Sequence, residues 1–67
     1  MIGERFRAYR EAAGMDQQTA TERLALAKGT LSRIETGYKM PSVALVVAAA
    51  KLYGCTTDAL ILDDKSA

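Results

Sequence analysis

The groups best suited to recognition chemistry cluster over residues 28–36, Lys28-Gly29-Thr30-Leu31-Ser32-Arg33-Ile34-Glu35-Thr36. Projected as a helix, Leu31 and Ile34 fall on one side, flanked by Thr30 and Glu35. The other side carries Lys28, Gly29, Ser32, Arg33 and Thr36. Small residues let such a face approach a base pair closely, and a guanidinium can donate two hydrogen bonds to guanine O6 and N7. The same division of faces also fits an ordinary surface helix with a solvated polar side. This helix alone does not separate the two.

Catalysis fails on inventory. The 67 residues include no histidine and one cysteine, Cys55, and there is neither a metal-spaced Cys/His cluster nor a glycine-rich phosphate loop. No enzyme, cofactor or metal is expected. Cys55 follows a helix end with no base nearby in sequence, so it reads as a buried small hydrophobe. The N-terminus, Met1-Ile2-Gly3-Glu4-Arg5, is charged where a signal peptide needs an apolar stretch. The longest apolar run, 43–50, is far short of the roughly 20 residues of a membrane span. A soluble protein in a reducing cytoplasm is the expectation. Net charge is +1, but positions 1–57 hold eight basic and five acidic residues, a balance of +3. That balance permits a polyanionic partner without requiring one.

The elements that must position the polar face are short. Gly14, Gly37, Pro41 and Gly54 punctuate the chain. The first helix is expected over 2–13, with Ile2, Phe6, Tyr9 and Ala13 as its apolar stripe and Gly14 as its stop. Asp16 is expected to cap a second helix over 17–24, facing inward through Ala20 and Leu24. The turn Ala25-Leu26-Ala27 leads to the third, 28–36. Ser42 then caps a fourth over 43–53, and Thr56 a last one ending at Leu62. Strand-like alternation is missing, so the class is all-α. Residues 1–62 form one domain and 63–67 a frayed tail. A domain this small buries only about 60% of its unfolded surface, so regular helix packing, helped by dimerisation, must hold it together.

Several stretches together carry a family pattern: Ile-Gly-Glu-Arg-Phe-Arg at 2–7, Gly14-Met15-Asp16-Gln17-Gln18, Leu31-Ser32-Arg33-Ile34-Glu35-Thr36-Gly37, Pro41-Ser42 and Leu52-Tyr53-Gly54. In these the chain resembles the phage-repressor and Cro-type (XRE-like) helix-turn-helix DNA-binding family, from residue 2 to about 62. The resemblance implies a compact five-helix, lambda-repressor-like fold with the helix-turn-helix at the second and third helices. It also implies a sequence-specific transcriptional regulator, a repressor, reading double-stranded DNA. By position, Gln17 would hold a phosphate with its side chain and amide, aided by the helix dipole; a solvated polar side chain is the alternative. Lys28, Gly29, Ser32 and Arg33 would face base edges or neighbouring phosphates, Arg33 being the strong base reader. Tyr38 and Lys39 would lie along the backbone, unless they are simply an exposed loop.

Arg10 and Glu35 border the inward stripes of their helices, and the resemblance implies a partly buried ion pair tying the first helix to the third. If buried, removing one partner costs roughly 3–5 kcal/mol; if solvated, about 0–1 kcal/mol. The pattern is not followed throughout. Ala25 replaces a customary Gly and must avoid or endure a positive φ. Ala27 replaces a capping Ser or Thr, a loss of about 1 kcal/mol. Asp16 caps well where Ser or Thr is usual, but sets a carboxylate near a phosphate, and Thr21 replaces a customary Ala. Modest affinity, rather than another fold, is implied.

The fourth helix is apolar nearly all round. With Val43, Val46, Ala50 and Tyr53 facing the core, a second stripe of Leu45, Ala48 and Leu52 remains as a possible protein-partner site, although scattered surface alanines are ordinary. Leu60, Ile61 and Leu62 exceed what one short helix needs for docking. They are expected to form a two-fold homodimer on a palindromic operator. An antitoxin-like or other protein-interaction module of the same fold, with DNA binding secondary, is the alternative function.

Overall fold

Three short polar side chains start helices by giving their oxygens to otherwise orphaned backbone amides. Asp16 Oδ1 accepts from Thr19 N at 2.7 Å, Ser42 Oγ from Leu45 N at 3.1 Å and Thr56 Oγ1 from Ala59 N at 3.0 Å. The computed structural model describes residues 2–62, so the expected tail at 63–67 lies outside the described residues. Five helices follow in order: α1 Ile2–Ala12, α2 Gln17–Arg23, α3 Thr30–Glu35, α4 Val43–Tyr53 and α5 Thr57–Ile61. No strand occurs among the described residues, and no helix there is long and apolar enough to cross a membrane.

The helix ends share one device. At α1, α2 and α3 the last carbonyls are closed by a pair of backbone bonds around a residue with positive φ, the Schellman arrangement. In α2 these are Leu26 N to Thr21 O at 3.0 Å and Ala25 N to Glu22 O at 3.1 Å. Gly14 and Gly37 hold the left-handed position after α1 and α3, but after α2 it falls to Ala25, at φ 55°. Ala25 therefore endures the conformation, at a cost of roughly 1–2 kcal/mol.

The third helix begins two residues later than expected. Ala27 has no capping oxygen for its side chain to offer; instead its carbonyl accepts from Thr30 N at 3.1 Å across a turn. Gly29 becomes the N-cap at φ 84°, a value its missing Cβ allows, and its carbonyl accepts from Arg33 N at 3.1 Å. Lys28 and Gly29 thus precede α3 rather than belonging to it.

α1 packs on α3, α4 and α5, and α2 on α3. The core is Phe6, Ala20, Leu31, Ile34, Val46, Ala49, Ala50, Tyr53 and Leu60. At its closest point α1 meets α3 through Gly3, where a Cβ would lie 2.5 Å from Ile34 O and 2.7 Å from Glu35 O. Arg5 fastens α1 to α5, its Nη1 donating to Ala59 O at 2.8 Å.

Two packing expectations are corrected. Val43 does not face the core but is 82% exposed, beside the exposed Met40 and Val47, while Leu45 and Leu52 are partly buried against the core. Of the stripe of Leu45, Ala48 and Leu52, Ala48 is exposed and the two leucines are half-buried against the core. A helix apolar all round gives no periodic signal for which side is covered, and α1 and α5 cover the side holding Val46, Ala49, Ala50 and Tyr53. Leu60 is likewise no surface residue: it is fully buried as the anchor of α5, leaving Ile61 and Leu62 exposed.

Candidate nucleic-acid interface

α3 is divided as its sequence requires. Leu31 and Ile34 are 1% exposed, Ser32 is half-buried, and Arg33 stands in solvent. The Arg33 side chain makes no hydrogen bond or ion pair among the described residues, which leaves all its N–H donors available. Thr36 caps the helix end and its hydroxyl donates to Ser32 O at 2.8 Å, so its proton is spent within the helix.

The segment after α3 folds back onto it. Tyr38 N and Lys39 N both donate to Arg33 O, at 2.8 and 3.2 Å. This keeps the exposed Tyr38 and Lys39 close to the last turn of α3 instead of on a free loop. Lys28 and Gly29 are exposed immediately before its first turn. The expected Lys28, Gly29, Ser32, Arg33, Thr36, Tyr38 and Lys39 therefore gather about one short helix. Arg23, in the last turn of α2, is also exposed and cationic, and sequence reading passed over it because it shares no repeat with α3.

Behind this surface lies a buried polar cluster. Arg10 and Glu35 are 7% and 8% exposed. Arg10 Nε donates to Glu35 Oε2 at 2.8 Å and Nη2 to Oε1 at 3.1 Å, the two-pronged geometry that guanidinium and carboxylate favour. Arg10 Nη1 donates to Met15 O at 2.8 Å, so the same fork also holds the α1–α2 turn. The hydrogen bond to Glu35 raises the Arg10 pKa above its ordinary value, against the opposing effect of burial. The expected tie between the first and third helices is present and buried.

Gln17 is placed differently from a free phosphate clamp. It is half-buried, and its Nε2 donates to Glu35 Oε1 at 3.0 Å. Beside it Asp16 is fully exposed to solvent, and the Thr19 backbone amide lowers its carboxyl pKa, so this end of α2 carries a fixed negative charge. Cys55 is partly buried and its thiol pKa is raised by that burial, which fits a packing role.

Known proteins give a consistent picture. A family model described as a helix-turn-helix domain matches residues 2–61. The HTH-type transcriptional regulator ImmR of Bacillus subtilis (strain 168) is 31% identical over 64 residues, spanning 96% of this chain and 50% of that protein. The uncharacterized HTH-type transcriptional regulator YazB of the same organism is 32% identical over 63 residues, spanning 94% of this chain and 91% of that protein. The chain thus spans half the length of the first relative and nearly all of the second. No solved structure gives a significant match.

Proposed function

The chain belongs to the XRE-type helix-turn-helix family, and from that premise we propose that it is a sequence-specific DNA-binding transcriptional regulator, a repressor, reading the major groove with α3. The observation that carries this is Arg33, unpaired and exposed on a six-residue helix whose other face is sealed by Leu31 and Ile34. Arg33 meets a guanine edge. Gly29 and Ser32 keep the approach short, and Lys28, Lys39 and Tyr38 follow the adjacent backbone. At α2 the backbone amides of Gln17 and Gln18, which have no intrahelical acceptor, face a phosphate. Asp16 opposes that contact and keeps the affinity modest. The protein acts in the cytoplasm as a homodimer on a palindromic operator, with Ile61 and Leu62 at the two-fold contact. The protein-interaction alternative is less favoured, since Leu45 and Leu52 of its α4 stripe are partly packed against the core.

Selection of bound duplexes from a randomised pool tests this reading. A palindrome should emerge, and Arg33→Ala should relax the preference at one guanine by about 1–3 kcal/mol. Binding should weaken steeply with added salt, because releasing condensed counterions gains less free energy as bulk salt rises. A pool that shows no enrichment and no salt-dependent retention would overturn it.

A further inference from the structure

The first turn of α1 and the last turn of α3 meet backbone to backbone. A Cβ on Gly3 would lie 2.5 Å from Ile34 O, 2.7 Å from Glu35 O and 3.0 Å from Glu35 C, closer than side chains approach a backbone. Four other glycines hold positive φ, but Gly3 is helical and its angles suit any residue. Alanine would favour the helix more. What requires glycine at this position is the space, not the conformation.

Both partners are held in place. The buried residues of α1 are Gly3, Phe6 and Arg10, one face at helical spacing. Phe6 sits in the core and Arg5 Nη1 donates to Ala59 O, so α1 cannot back away without leaving the core and α5. Gly3 meets the Glu35 backbone and Arg10 its carboxylate, which seats the end of α3 on α1 at two points. The same turn carries Arg33, and Ile34 O accepts from Gly37 N at 3.2 Å where the helix closes.

From this we infer that Gly3 is a positioning residue for DNA recognition: its bare backbone sets how deeply the end of α3 sits on α1, and so where Arg33 points. The inference rests on the DNA-binding reading above and deepens it. Gly3 is buried and offers DNA nothing directly. A methyl group there lifts the Ile34–Glu35 backbone while the Arg10 fork keeps hold of the Glu35 carboxylate, so the helix is re-aimed rather than detached.

The test is a cycle of Gly3→Ala and Arg33→Ala, each alone and both together, in an Ala25→Gly background. That background relieves the left-handed alanine and adds stability margin. Affinities are measured, with all four proteins folded, for the best duplex from the randomised pool and for one altered at the guanine that Arg33 reads. Gly3→Ala should lose about tenfold of that preference, and the pair together no more than Arg33→Ala alone. Its slope of log K against log salt should stay unchanged, since no cation is removed. A preference kept by Gly3→Ala, with only the melting temperature lowered, overturns the inference by leaving Gly3 a packing role. Losses that add independently overturn it too, since Gly3 then acts by a route other than Arg33. So does a Gly3→Ala protein that fails to fold even in the cold, because the whole fold then depends on the contact. A background protein that retains no duplex at any salt brings down the DNA-binding reading instead, and is told apart because Gly3 and Arg33 are both intact in it.

Discussion

Tyr53 shows how a single residue carries a cost that composition hides. Its ring fills the core, yet its hydroxyl is buried with no hydrogen-bond partner among the described residues. Burial, then the charge of Glu35, push its pKa from 10.0 to about 12, with Arg10 pulling the other way. Between those two values the unfolded chain has released this proton and the folded chain keeps it. Stability is therefore unaffected by Tyr53 below about pH 10 and falls as pH rises toward 12, by an amount on the order of 2 kcal/mol. Tyr53→Phe should remove this alkaline loss. It should also raise the melting temperature at neutral pH, because an unsatisfied buried hydroxyl costs about 1–3 kcal/mol. Parallel melts of the two proteins from pH 8 to 12 check both statements; curves that remain parallel across the range would contradict the first.

Between elements, the decisive contact is the fork of Arg10 on Glu35. It joins α1 to α3, reaches the α1–α2 turn through Met15 O, and shares Glu35 with Gln17. Arg10→Ala strands a buried carboxylate and should cost about 3–5 kcal/mol. In a domain this small each kcal/mol shifts the melting temperature by roughly 4–8 °C, so much of the fold's margin goes. Stability should fail before DNA contact does. At a temperature where the variant is still folded, its salt dependence of binding should match the wild type, and an unchanged melting temperature would refute the buried tie. How far elements were legible in the sequence follows from what fixes them. Asp16, Ser42 and Thr56 act on amides three residues away, so local pattern placed the starts of α2, α4 and α5. The ion pair was legible only through the family resemblance, since bordering an apolar stripe does not by itself choose Glu35 as the partner of Arg10. The start of α3 was not, because Gly29 caps it with backbone alone. Nor was the inward side of α4, whose sequence is apolar on every face and takes its orientation from α1 and α5. Gly3 escaped notice for a related reason: its role is an absent Cβ against carbonyls of a helix 31 residues on. Gln17 read as a phosphate contact, and its bond to Glu35 went unseen because Glu35 already had an assigned mate.

At the scale of the molecule, the surplus is apolar surface on a small body. Among the described residues the core holds nine buried hydrophobic residues, while Ile61 and Leu62, at the end of α5, remain 41% and 54% exposed. With Leu60 consumed by the core, these two are what α5 can offer a second copy. A residue pair near the end of the domain buries little, and a dimer resting on it must be weak in free solution. On the proposed palindromic operator, two half-sites on one face of the duplex would hold two copies at high effective concentration and supply the remaining organisation. Sedimentation equilibrium should accordingly find monomer at low concentration and a shift toward dimer as it rises. A duplex with half-sites one helical turn apart, about 34–36 Å, should take up two copies cooperatively. Ile61→Asp should abolish that cooperativity while leaving the affinity of an isolated half-site, and its salt slope, in place. The core does not depend on Ile61, so the variant should melt within a few degrees of the wild type. Two copies binding independently in the wild type, or half-site affinity lost along with cooperativity, would place the two-fold contact elsewhere than on α5.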